Sequence, residues 1–144
     1  MKEFVSEIKT IPFSEELVYK ALSDLRNLER VQDKIPQDKV SDFEFDQDSC
    51  SFAVKPVGKV KFSIIEREPF KTIKFTANEA PIEILLWIQI KKIEDNICKL
   101  KLTVKAKLNP FIKPMVSKPL KEGIEKVAEV LANLPYNEIM IDKE

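Results

Sequence analysis

Side-chain catalysis draws on a short inventory, and this chain of 144 residues lacks its commonest member: it has no histidine. That removes Ser-His-Asp and Cys-His nucleophilic relays as ordinarily built. It also removes imidazole-based zinc sites and the side chain best suited to proton transfer near neutral pH. Any chemistry would fall to Asp, Glu, Lys, Tyr or Cys. Cys50 and Cys98 are isolated from each other, which excludes a CxxC redox or zinc pattern. Both read as small buried apolar residues, with a disulfide as the lesser alternative. Glu66, Glu68 and Glu83 lie on or near strands, but a raised carboxyl pKa requires burial, and Glu83 falls on a polar phase. Arg67 and Asn78 fall near strand ends, where they could anchor the polar headgroup of a ligand. Tyr19 and Tyr136 read as packing residues. No catalytic residue, metal site or cofactor is assigned, and the balance leans away from an enzyme.

The elements that would position these residues follow from periodicity. Residues 3–11 mix β-branched and charged side chains, with Phe4, Ser6, Ile8 and Thr10 in one phase of a strand that Pro12 ends. Ser14 caps a helix whose apolar face is Leu17, Ala21 and Leu22. A second short helix runs from Asp24 to about Ile35, with Leu25, Leu28 and Val31 in helical spacing, and Pro36 closes it. From Val40 the period becomes two. Six strands follow, separated by turns at 46–49, 56–58, 68–69, 78–81 and 94–96. In the clearest strand Cys98, Leu100, Leu102, Val104, Ala106 and Leu108 alternate with Lys99, Lys101, Thr103, Lys105 and Lys107. That is the pattern of an antiparallel sheet with one buried and one wet face. After Asn109-Pro110 the period turns helical, with Ile124, Val127, Ala128, Leu131 and Leu134 on one face. Ser117 is placed as its cap, Pro119 in its first turn, and Pro135 after its end, with Pro110 and Pro114 marking an earlier turn or a kinked extension. Gly123 within it either permits close approach of helix and sheet or leaves space between them.

Lys+Arg and Asp+Glu both number 24. This balance removes the general electrostatic drive toward nucleic acid. No apolar run approaches the roughly 18–20 residues of a membrane span, so integral membrane association is not expected. The first residues lack the apolar core of a secretory signal, and cytoplasm is the expected location. The lysine comb at Lys99, Lys101, Lys105 and Lys107 reads as a wet face that discourages edge-to-edge association. Weak attraction to a membrane surface is its other reading. Leu85 and Trp87, joined by Ile65, are the apolar exceptions on that wet face. They mark either a partner or homodimer interface, or a bulge that turns Trp87 inward.

The order strand, two helices, six strands, long helix resembles the START-like (SRPBCC) superfamily with the helix-grip fold. That superfamily includes polyketide cyclase/dehydrase-like proteins, lipid-transfer domains and plant pathogenesis-related proteins. The resemblance spans about residues 2–134 and is carried by three features. These are the opening strand that leads into a helix pair at Ile11-Pro12-Phe13-Ser14-Glu15-Glu16-Leu17-Val18-Tyr19-Lys20-Ala21-Leu22-Ser23-Asp24, the six hairpin-connected strands, and the closing helix from Lys118 to Leu134. The Gly-rich loop of the plant proteins is missing, since Gly58 and Gly123 are the only glycines. The fold expected is α+β, an antiparallel curved sheet of about seven strands in β-αα-β6-α order around a long C-terminal helix. It forms one domain over residues 1–136, with a loose tail at 137–144. The function the resemblance implies is binding or carrying a lipid-like or aromatic molecule between sheet and helix. A cyclase/dehydrase-like enzyme and an interaction module using Leu85 and Trp87 are the alternatives. The sheet residues expected to line the cavity are Phe62, Ile64, Phe75, Ile84, Leu86, Ile88, Leu102 and Val104. Ile124, Val127 and Leu131 would face them from the helix.

Overall fold

The computed structural model describes residues 2–34, 40–54, 58–77 and 83–139. In chain order the elements are β1 (Lys2–Val5), β2 (Lys9–Ile11), α1 (Glu15–Leu22), a 3-10 helical segment (Leu25–Lys34), β3 (Val40–Phe45), β4 (Ser49–Val54), β5 (Gly58–Glu68), β6 (Thr72–Ala77), β7 (Glu83–Glu94), β8 (Ile97–Lys107), α2 (Lys113–Ala132) and α3 (Tyr136–Ile139). The strands form one antiparallel sheet in the order β1-β8-β7-β6-β5-β4-β3, with β2 also pairing with β8. The fold is the expected α+β helix-grip arrangement, with eight strands rather than seven.

The extra strand arises because the first one is broken. Phe4 faces Val104 on β8, whereas Lys9 faces Leu100, a slip of one residue between the two ladders. Ser6 causes it by joining the ladder with both backbone and side chain. Its N–H donates to the Leu102 carbonyl at 2.9 Å, and its hydroxyl oxygen accepts the Leu102 N–H at 2.9 Å. A one-residue slip reverses the faces of everything after it. Ile8 is therefore 62% exposed, and Ile11 takes the buried position.

Ser14 caps α1 as expected, its Oγ accepting the Leu17 N–H at 3.1 Å. The second helix is a 3-10 helix, in keeping with the three-residue spacing of Leu25, Leu28 and Val31. Inside it Asn27 is 2% exposed and donates from Nδ2 to the Ala21 carbonyl. The closing helix starts at Lys113, four residues before the expected Ser117 cap. Asn109 Oδ1 accepts the N–H groups of Phe111 and Ile112 ahead of it, and Pro114 fits its first turn. Ser117 lies inside the helix, donating to the Lys113 carbonyl at 2.7 Å. Pro119 is also inside it. The chain continues past Pro135 into α3. Tyr136 is fully buried in α3, donates its hydroxyl to the Leu131 carbonyl, and meets Phe13 edge to face. Residues 137–139 thus belong to the fold, and the rest of the expected tail lies outside the described residues.

α2 packs against β1, β2 and β8, while α1 packs against β7 and β8 and supports α3. The core is the inward phase of β6, β7 and β8 together with Phe4, Ile11, α1 and one stripe of α2. No helix among the described residues is long and apolar enough to cross a membrane.

Candidate functional site

The strand register carries one face across the sheet. Phe4, Val104, Leu86, Phe75 and Ile64 form one inward row, and Leu102, Ile88 and Ile73 form another. Across the β4–β5 hairpin, Cys50 pairs with Phe62 and Phe52 with Val60, so the same face continues to the far edge. Of the expected cavity residues, Phe75, Ile84, Ile88, Leu102, Val104, Ile124 and Leu131 are all buried. Phe62, Ile64 and Leu86 are only half-buried. Val127 is 48% exposed, contrary to its assignment to the apolar stripe. Helical geometry explains this: at about 100° per residue, Glu125 and Val127 fall on opposite flanks of Ile124. Glu125 accepts the Glu7 N–H at 2.7 Å, which turns its flank toward the β1–β2 edge and Val127 away from it.

Beyond the reach of α2, the inward face is aromatic. Phe43 stacks on Phe45 at 5.8 Å between centroids, Phe43 meets Phe52 at 5.8 Å, and Phe52 stacks on Phe62 at 5.9 Å. All four rings are half-buried. The hairpin register that pairs Glu44 with Ser51 and Phe45 with Cys50 carries Phe43 toward Phe52, and Asp42, with a left-handed backbone (φ 57°), sits at the register shift just before it. Phe43, Phe45 and Phe52 were not among the expected site residues. Their signal was present as alternating phenylalanines on two successive strands.

Gly123 occupies the same flank of α2 as Val127, and a Cβ built on it would meet nothing within 4 Å. The glycine does not serve close helix–sheet contact; it borders open space. Two clefts lie elsewhere. One of about 340 Å³ is bounded by Lys2, Lys107, Leu108 and Lys113 at the start of α2. Another of about 370 Å³ lies at the β3–β4–β5 edge among Glu44, Phe45, Asp46, Ser49, Ser51, Lys59 and Lys61.

Arg67 is already engaged within the protein. Its Nε and Nη2 donate to the Ser23 carbonyl at 3.1 and 2.9 Å, and Nη2 also donates to Asp48 Oδ1. It clamps the end of α1 to the β3–β4 hairpin. Asn78 lies outside the described residues. Asp46 organises that hairpin by accepting the N–H groups of Asp48 and Ser49 and the Ser49 hydroxyl, which hold its carboxyl below its ordinary pKa. Both cysteines are free thiols. Burial pushes Cys50 up to about 12 and Cys98 up to about 11, so each stays protonated at neutral pH. Burial likewise raises Tyr19, with Arg67 pulling weakly the other way. Glu15 Oε2 is buried with no hydrogen-bond partner among the described residues. No described group of His, Cys, Asp or Glu has the makings of a metal site.

On the outer face Trp87 points away from the core between Lys74 and Thr103, so no bulge turns it inward. The Lys74 and Lys105 ammonium groups sit 5.2 and 5.6 Å from its ring centroid. Leu85 lies between Thr76 and Lys105. Ile65 is 53% exposed at a register shift in β5. Strand β6 separates it from the other two.

No protein-family model matches this chain, and no curated protein is similar to it in sequence. Solved structures do share its fold. A START superfamily protein from Mycobacterium smegmatis superposes with a TM-score of 0.67 at 14% identity, over 90% of this chain and 94% of that one. A norcoclaurine synthase point mutant from Thalictrum flavum gives 0.71 at 12% identity, over 99% and 96%. A conserved protein from Geobacillus kaustophilus gives 0.66 at 15% identity, over 96% and 95%. The fold is therefore the START-like helix-grip fold.

Proposed function

We propose that this protein binds a hydrophobic small molecule, lipid-like or aromatic, on the inward face of its sheet and carries it without chemical change. The observation that supports this most is the half-buried series Phe43, Phe45, Phe52 and Phe62, continuous with the core yet beyond the strands that α2 covers. Aromatic rings left partly wet on a concave surface hold an apolar guest by area and shape. Phe62, Ile64 and Leu86 would form the floor of the site, and Val127 would border it from the helix. The thiol on that face, Cys50, is held protonated and is a poor nucleophile.

The test is native mass spectrometry of the purified protein together with titration of an apolar fluorescent dye. The expected result is a bound apolar molecule or saturable dye uptake that Phe52→Asp weakens at least about tenfold, a pocket carboxylate being costly to desolvate. Absence of both a bound molecule and dye uptake would overturn the reading. Conversion of a bound molecule by the protein would favour the cyclase-like alternative, since one structural neighbour is by name a synthase.

A further inference from the structure

The geometry points to a membrane-docking tip at the β8–α2 corner, residues 107–118, that seats Phe111 and Met115 in the interface of an anionic bilayer. Phe111 is 89% exposed and Met115 is 64% exposed. They lie four residues apart across the start of α2, Phe111 in the turn that leads into the helix and Met115 in its first turn. Exposed large apolar residues close together and rimmed by polar ones are the composition of a contact surface.

Charge selects the partner. Although acids and bases balance over the whole chain, Ile97 to Lys121 holds seven lysines and no Asp or Glu. Lys107, Lys113, Lys118 and Lys121 make no ion pair among the described residues. Lys118 follows Met115 by three residues on the same face of α2, while Lys107 and Lys113 line the cleft at the start of the helix. The first turn of α2 has no acidic residue, so its positive dipole end adds to the same field. Apolar side chains ringed by lysines fit an anionic lipid surface, where the chains enter the interface and the ammonium groups meet headgroups.

The tip is also held in shape before any contact. Asn109 Oδ1 accepts the Phe111 and Ile112 N–H groups at 2.9 and 3.0 Å, and the Asn109 carbonyl accepts the Lys113 N–H at 3.0 Å. Pro110 and Pro114 restrict the backbone on either side. Little ordering remains to be done on binding.

The experiment is co-sedimentation of the full chain with phosphatidylcholine vesicles, with and without about 30 mol% phosphatidylglycerol. Anionic vesicles should bind the protein, and about 0.5 M salt should release it. The double variant Phe111→Ser/Met115→Ser should lose at least about tenfold in binding. Lys113→Gln and Lys118→Gln should each lose about fivefold. Circular dichroism and apolar-dye uptake should stay unchanged in all of these, since the four side chains are exposed and lie apart from the aromatic face; the inference is thus independent of the proposed ligand. No binding to either vesicle, or equal binding to neutral and anionic vesicles, would overturn it. So would a dimer that the double variant abolishes without any vesicle binding, because a second copy would then cover the tip.

Discussion

At the β1–β2–β8 end of the sheet, every inward residue of β8 from Cys98 to Ala106 is 5% exposed or less, because α2 lies across it. At the β3–β4–β5 end, the inward phenylalanines lean on each other and stay half-buried. The alternation of residue types is similar at both ends, so the difference comes from coverage. Seven strand positions, one of them shared by β1 and β2, spaced at about 4.8 Å make a sheet roughly 30 Å wide. A helix with its side chains is only about 10–12 Å across. One helix lying over β1, β2 and β8 leaves the remaining inward surface to α1, the 3-10 segment and solvent or the proposed ligand.

The contrast can be broken most directly by truncating one residue at each end. Leu102→Ala should cost about 3 kcal/mol in urea unfolding, as a fully buried leucine that leaves a cavity. Phe52→Ala should cost only about 1–2 kcal/mol despite removing more atoms, because much of its ring is already wet. Equal losses would mean that the far end is packed like the near end, and the aromatic surface would no longer be available to a ligand.

The far end also depends on a clamp that the near end does not need. Arg67→Met removes the charged hydrogen bonds to Ser23 and Asp48 and should cost about 1.5 kcal/mol, the low end for such bonds because the group is partly solvated. Arg67→Lys should recover little, since one ammonium does not reproduce the planar fork. Hydrogen exchange should quicken in β3, β4 and the 3-10 segment and stay slow in β8. Uniform quickening across the sheet would show that the two ends open as one unit.

The two thiols sample the two ends and sharpen the comparison further. Each has a folded pKa above its unfolded one, so the folded chain holds protons that the unfolded chain releases. Their contribution to stability is complete below about pH 8.5–9 and declines toward about 11 for Cys98 and about 12 for Cys50. Cys50→Ala and Cys98→Ala should each flatten the alkaline fall in the unfolding midpoint. Near neutral pH both thiols are protonated, so access to reagent decides labelling. Half-buried Cys50 should react with a small neutral thiol reagent faster than fully buried Cys98. Equal rates would point to global unfolding as the common route.

Much of this architecture was legible in the residues. The alternation from Cys98 to Ala106 and the stripe Ile124, Ala128 and Leu131 each depend on one element meeting one neighbour, and periodicity records that directly. The slip at Ser6 was not legible, because a hydroxyl bonded to Leu102, nearly a hundred residues away, decides which face Ile8 takes. The early start of α2 was only partly legible, as an earlier turn or extension at Pro110 and Pro114: Asn109 holds the preceding N–H groups, so Ser117 is not needed as a cap. Of the site, the phase of Phe62, Ile64 and Leu86 could be read, but not how wet they remain. Exposure depends on where α2 settles across the sheet, which no local pattern encodes.

Gly123 gives the smallest expected change and the most local probe of that open flank. A glycine inside an exposed helix costs about 1 kcal/mol relative to alanine, and here an added Cβ meets nothing within 4 Å. Gly123→Ala should therefore stabilise the protein by up to about 1 kcal/mol, raising Tm by about 3 °C for a chain of this length. A methyl group in empty space should leave dye uptake unchanged, whereas one that touches the guest should weaken uptake while the gain in Tm persists. The second outcome would extend the binding surface from the phenylalanines to the helix flank that carries Val127. A fall in Tm would mean that the sheet approaches α2 closely at this position, and the two ends of the molecule would be more alike than their coverage implies.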